Sequence, residues 1–120
     1  MRVIAGSARS IPLKSVKGDK TRPTTDRIKE TLFNILNPYL YDAYVLDLFA
    51  GAGGLGIEAL SRGAKKAVFV DKSKEAVKII KENLSKTHFS DDADIYTGDV
   101  LDMCATMNIE KLTLKIMMSN

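Results

Sequence analysis

Val45-Leu46-Asp47-Leu48-Phe49-Ala50-Gly51-Ala52-Gly53-Gly54-Leu55-Gly56 is a short apolar run that ends in glycines and opens into a helical pattern. It reads as a buried strand, a tight turn and the start of a helix, the first βα unit of a nucleotide-binding sheet, because glycine lets backbone approach a ligand closely. Gly51, Gly53 and Gly56 also satisfy the dinucleotide pattern G-x-G-x-x-G, a weak signal on its own.

Asp47 stands four positions before the first glycine, at the carboxyl end of the expected strand. A carboxylate beside a diphosphate in a partly dry cleft is repelled, so it argues against a dinucleotide and for a cationic ligand. S-adenosylmethionine carries a sulfonium and an ammonium group and no phosphate, and it still needs a glycine turn for close packing of its methionine end.

Working outward, Gly54 to Arg62 is expected to form a short helix with Leu55, Ala59 and Leu60 inward, ended by Gly63. Ala67 to Val70 is a continuous apolar run, typical of a parallel strand buried on both faces, and it ends in Asp71. Ser73 is placed to cap a further helix whose Ala76, Val77, Ile80 and Leu84 face the sheet. Asp91 to Asp94 is an acidic turn, Ile95 to Thr97 a third strand, and Gly98-Asp99-Val100 the turn at its end. Alternating strands and helices imply right-handed crossovers and a mainly parallel α/β sheet, with ligands outside the carboxyl ends of the strands. Asp47, Asp71 and Asp99 fall there, one per strand. For a methyl donor their roles separate: Asp47 near the amino-acid end, Asp71 accepting from the ribose hydroxyls, Asp99 accepting from the adenine amine. The alternative is that strand-end aspartates only cap the helices that follow.

Upstream, Arg2 to Ala5 could pair as a short strand, and Ser7 to Lys20 reads as a polar, basic loop or hairpin arm outside the core. Thr24 or Thr25 is placed to cap a helix with Ile28, Leu32, Ile35 and Leu36 on its apolar face, stopped by Asn37-Pro38. Residues 1 to 30 carry eight basic and three acidic groups, a net of +5, whereas the other ninety sum to −2. A basic arm on a nearly neutral body is an electrostatic footprint for a polyanion, most often nucleic acid, and Arg2, Arg9, Lys14, Lys17, Lys20, Arg22 and Arg27 are its candidate contacts.

The remaining composition mostly excludes. With 120 residues, 45% hydrophobic and 28% charged, the chain reads as one globular domain, small for an open sheet covered on both faces. No apolar run approaches the ~20 residues of a membrane span, and the start lacks the apolar core of a secretion signal. Cys104 is the single cysteine and His88 the single histidine. An internal disulfide is thereby excluded, a reducing cytoplasm is the expected compartment, and neither residue has metal-spaced company.

Asp47-Leu48-Phe49-Ala50-Gly51-Ala52-Gly53 resembles motif I of class I S-adenosylmethionine-dependent methyltransferases. Thr21-Arg22-Pro23-Thr24-Thr25-Asp26-Arg27-Ile28-Lys29-Glu30, with Phe33-Asn34 following, is similar to the N-terminal signature of the bacterial enzymes that methylate a guanine N2 in small-subunit (16S) ribosomal RNA. Arg2-Val3-Ile4-Ala5-Gly6 is in register with that family's opening strand. The resemblance covers roughly residues 1 to 102 and implies a Rossmann-like class I methyltransferase sheet preceded by a basic N-terminal arm.

It further implies a pocket in which Asp47, Gly51 and Gly53 line the methionine end, Asp71 lies at the ribose, and Asp99 and Val100 lie at the adenine, with Phe49 and Lys72 also cofactor-binding. Arg22, Pro23 and Thr24 would lie near the cofactor and RNA entrance. The family's Asp/Asn-Pro-Pro-Tyr motif, whose acceptors and aromatic ring hold the flipped base, does not occur here, and the run from Cys104 to Asn120 departs from the family pattern. The expectation is therefore the N-terminal part of such an enzyme, organised as a basic arm (1–20), a helix (21–37), cofactor-binding units (44–102) and a divergent tail (103–120). No catalytic residue and no metal are assigned. Ribosomal RNA or a small-subunit ribonucleoprotein is the expected partner, and an uncovered sheet edge favours pairing with another copy. Two other classes stay open: a nicotinamide-dependent oxidoreductase using the same glycines, and a non-enzymatic RNA-binding module.

Overall fold

The structure, a computed structural model, describes residues 1–16, 23–48, 50–99 and 114–118. After an N-terminal hairpin come α1 (Pro23–Leu40), β1 (Tyr44–Leu48), α2 (Gly54–Ser61), β2 (Lys66–Asp71), α3 (Lys74–Thr87), a single 3₁₀ turn (Ser90–Asp92), β3 (Ala93–Thr97) and β4 (Leu114–Met118). The sheet order is β3-β2-β1-β4, every pair parallel, with Leu46 opposite Val68 on one side and Ile116 on the other. The α/β sheet expected from the apolar runs is the one that forms, with the glycine turn directly after the inner strand β1. α2 packs on β1 and β2, and α3 on β2 and β3. Val45, Ile57, Leu60, Phe69, Ile80 and Leu84 build the core between them. Among the described residues, no helix is long and apolar enough to cross a membrane.

The helix expected over 21–37 differs in start, end and face. It begins at Pro23, ahead of both threonines, where proline's missing N–H costs nothing. It continues through Pro38 to Leu40, because Leu40 is buried and the chain leaves only afterwards, with the Asp42 amide donating to the Gly63 carbonyl (2.8 Å). Its buried stripe is Lys29, Phe33 and Leu40 with Leu36 partly covered, while Ile28 (64% exposed), Leu32 and Ile35 (67%) face outward. The expected apolar face is thus rotated by one residue.

Lys29 takes the inward position because Glu58 on α2 is fully buried and needs a cation. Lys29 Nζ lies 3.5 Å from its Oε1, and Arg62 Nε lies 2.8 Å from its Oε2. Arg62 in turn lies over the Phe33 ring, 5.2 Å from its centroid. Backbone amides of Ile4 (2.9 Å) and Ala5 (3.1 Å) also donate to Glu58, and Lys29 Nζ donates to the Arg2 carbonyl (2.9 Å). A buried carboxylate with this many donors is compensated rather than orphaned.

The same network corrects the picture of an arm outside the core. Residues 1–13 form a hairpin closed by Val3 N–H to Ile11 O (3.0 Å) and Leu13 N–H to Met1 O (2.8 Å), with Arg2 bridged to Pro12. Val3, Ala8 and Leu13 are buried, and Ser61 at the end of α2 binds the hairpin through its carbonyl and hydroxyl. The hairpin is basic on its outside and part of the core on its inside.

Candidate functional site

The candidate site is the rim where β1, β2 and β3 end. Ala50 N–H donates to Val70 O of β2 (3.0 Å), and the turn that follows is closed by Gly53 N–H to Ala50 O (2.8 Å). Gly51 and Gly53 both have positive φ (57° and 83°), which L side chains rarely adopt. Their surroundings differ. A Cβ on Gly51 would meet nothing within 4 Å among the described residues beyond its chain neighbours, so among these residues this side of the turn is open. One on Gly56 would fall 2.3 Å from the Phe69 ring, so that glycine lets α2 lie close on the sheet. Of the three pattern glycines, Gly51 borders open space among the described residues and Gly56 serves packing.

Asp71 ties the rim together. Its Oδ2 accepts from the Gly51 amide (2.9 Å), its Oδ1 from the Ser73 amide (2.9 Å), and its carbonyl from the Gly98 amide (3.0 Å). The turn after β1, the entry to α3 and the exit of β3 therefore meet at one residue. Ser73 caps α3 as the sequence implies, its hydroxyl accepting from the Ala76 amide. Each Asp71 oxygen keeps acceptor capacity beyond its one backbone bond.

Asp47 is fully buried beneath the turn. Its Oδ2 accepts from the Gly56 amide at the start of α2 (3.2 Å), and its Oδ1 has no partner among the described residues. Burial above all raises its carboxyl pKa from 3.8 to about 7, the Gly56 amide working against the rise and nearby Asp71 adding to it. Near neutrality it is only partly charged. The repulsion of a phosphate expected from a full carboxylate is correspondingly weaker, and Asp47 alone discriminates less between a cationic and an anionic ligand than its sequence position implies.

Asp99 lies on the exposed rim after β3, with Lys72 Nζ 3.9 Å from its Oδ2. Phe49 and Val100 lie outside the described residues, as do Lys17, Lys20, Arg22 and Cys104. Of the other basic candidates, Arg2 and Arg9 are exposed on the hairpin and Arg27 on α1, and Lys14 pairs with Glu82 on α3 (3.2 Å). His88 terminates α3 in a left-handed conformation.

Two residues escaped the sequence reading. Glu58 was masked by the apolar residues around it. Asn83 lies on the inward side of α3 between Ile80 and Leu84, and its side chain bonds the backbone of both Lys14 and Ala52. A polar residue on an otherwise apolar helix face was the available signal in both cases.

The family model described as "Conserved hypothetical protein 95" matches residues 1–116. The chain is 50% identical over 99 residues to "Putative rRNA methyltransferase YlbH" of Bacillus subtilis, covering 82% of this chain and 54% of that protein. It is 44% identical over 103 residues to "Ribosomal RNA small subunit methyltransferase D" of Haemophilus influenzae, covering 85% and 53%. The solved structure of "Putative methyltransferase yhhF" from Escherichia coli superposes with a TM-score of 0.77 at 39% identity, over 88% of this chain and 56% of that one. The chain thus spans about half the length of the relatives it matches.

Proposed function

Since the chain belongs to the family described as Conserved hypothetical protein 95, we propose that its strand ends bind S-adenosylmethionine in a methyltransferase that modifies a guanine N2 of small-subunit ribosomal RNA. The observation that carries the cofactor half is the turn at Gly51. Its amide is held by Asp71, and among the described residues the place of its absent side chain is open. The residues present suit the group: Asp71 has acceptor capacity left for two hydroxyls, and Asp47 has a buried carboxylate oxygen without a partner among the described residues. In this reading Asp47, Gly51 and Gly53 line the amino-acid end, Asp71 and Lys72 the ribose, and Asp99 the adenine.

When bound, S-adenosylmethionine supplies an electrophilic methyl group. The chain's own residues contribute positioning. The turn, locked to Ala50, Val70 and Asp71, presents a rigid backbone, and Asp71 aligns three strand ends so that one ligand can touch all of them. A guanine amine is a poor nucleophile and needs acceptors aimed at its protons. The three prolines here, Pro12, Pro23 and Pro38, are not adjacent, so the family's base-holding motif is not in this stretch and no catalytic residue is assigned. The exposure of Arg2, Arg9, Lys14 and Arg27 supports their contact with an RNA backbone in this reading.

Calorimetric titration with S-adenosylhomocysteine and, separately, with NAD tests this. Heat with the homocysteine compound and none with NAD is expected, and the reverse overturns the proposal. Gly51→Ala puts a methyl into the open side of the turn at a positive φ. It should weaken S-adenosylhomocysteine by at least about tenfold while costing only about 1–2 kcal/mol of stability.

A further inference from the structure

Among the described residues six large apolar or aromatic side chains are exposed, and five of them lie on α1 or just past its end: Ile28 (64%), Leu32 (39%), Ile35 (67%), Tyr39 (59%) and Tyr41 (84%). The four on the helix are spaced by four, three and four positions, which keeps them on one stripe with the alternation of a coiled-coil seam. It is not the stripe that α1 uses within the molecule, since Lys29, Phe33 and Leu40 are the buried ones. The five side chains expose on the order of 600 Å² per copy, the top of the range for the largest apolar patch on a monomer.

We propose that this stripe joins two copies of the chain, α1 against α1 in antiparallel order about a twofold axis. Reversing one helix on the other sets Ile28 opposite Tyr39 and Leu32 opposite Ile35, so the same four residues complete both halves of a self-complementary contact. The charges agree with that order. Arg27 stands opposite the end of the partner helix, beside the exposed ring of Tyr41, a cation facing an aromatic side chain, while Glu30 stands opposite Asn37, and no like charges meet. The area agrees as well, because two such faces together cover about 1,200 Å², where stable, specific interfaces begin. The sheet edge at β3 suits a second copy less: Asp94 there is ion-paired to Lys66 (2.8 Å), Tyr96 is its one exposed ring, and a charged edge resists strand addition. Within one copy the outward side chains touch little, so replacing them changes the mass of the assembly and leaves the stability of the single chain nearly unaltered.

Sedimentation velocity of the full chain between about 1 and 100 μM tests this, since pairing follows mass action. A shift from one copy to two over that span is expected, with no growth beyond two. Ile35→Glu and Leu32→Lys, each alone, should sediment as single copies with unchanged far-ultraviolet circular dichroism, because each sets a charge against an apolar side chain across the seam. Mixed in equal amounts they should pair again, since the reversed order brings the introduced lysine of one copy against the introduced glutamate of the other. Parallel helices would not restore pairing in this way. Should Leu32→Lys alter the dichroism, Ile28→Glu mixed with Tyr39→Lys, the other facing pair, reads the same exchange. A wild type that stays single at the highest concentration overturns the proposal. So does a pair, or a larger assembly, that survives Ile35→Glu, which would put the contact on another surface. Variants that stay single when mixed, beside a wild type that pairs, overturn the antiparallel order.

Discussion

Asp47 shows how one side chain can change meaning between sequence and fold. In the sequence it is an acid at a strand end; in the structure it lies under the turn, bonded to the first turn of α2, with a carboxyl pKa near 7. Its native pKa is raised above the ordinary 3.8, so the folded state binds more protons than the unfolded one between about pH 4 and 7. Stability must therefore fall as pH rises through that window, and the cost is fully present above it. Asp47→Asn removes the titration and keeps an acceptor for the Gly56 amide. Melting curves should place this variant above the wild type at pH 8, with the gap closing towards pH 4. A gap independent of pH would show that burial does not govern this carboxyl.

Among the elements, α1 carries the largest difference between expectation and structure. Apolar periodicity selected Ile28, Leu32, Ile35 and Leu36, of which Leu36 packs against the core, yet the helix turns Lys29, Phe33 and Leu40 inward in place of the first three. What decides is the fully buried Glu58 on α2, which draws in Lys29, together with Arg62, which stacks on Phe33. Phe33→Ala should cost about 3–5 kcal/mol by leaving a cavity at a side chain with no exposure. Ile35→Ala, on the outward stripe, should stay within about 0.5 kcal/mol. Urea denaturation of both variants checks this, and equal losses would restore the face that periodicity chose. The glycine pattern was also resolved only at this level: three glycines in one motif, of which Gly56 is demanded by the Phe69 ring and Gly51 by a backbone conformation on an open side.

For the whole molecule, the charge asymmetry of the first thirty residues is carried by a hairpin that belongs to the core. Removing residues 1–13 should unfold the chain rather than merely release RNA, since Val3, Ala8 and Leu13 are buried and Glu58 would lose two amide donors. Substituting Arg2, Arg9 and Arg27 by alanine instead leaves these contacts in place. The triple variant should lose RNA affinity and reduce the salt slope by about 2–3, with little change in melting temperature. An unchanged slope would place the nucleic-acid contact elsewhere.

The parallel sheet, the glycine turn, the capped α3 and the strand-end aspartates were all readable from the chain itself, because each is a local pattern set by strand hydrophobicity, glycine conformation and capping chemistry. The inward face of α1, the place of the hairpin in the core, the near-neutral pKa of Asp47 and the double hold of Asn83 were not. Each depends on which distant residue supplies a charge, a hydrogen bond or a dry environment, and such partners, 27 to 69 positions apart for the Lys29–Arg2, Ile4–Glu58 and Lys14–Asn83 bonds, meet only when the chain has folded.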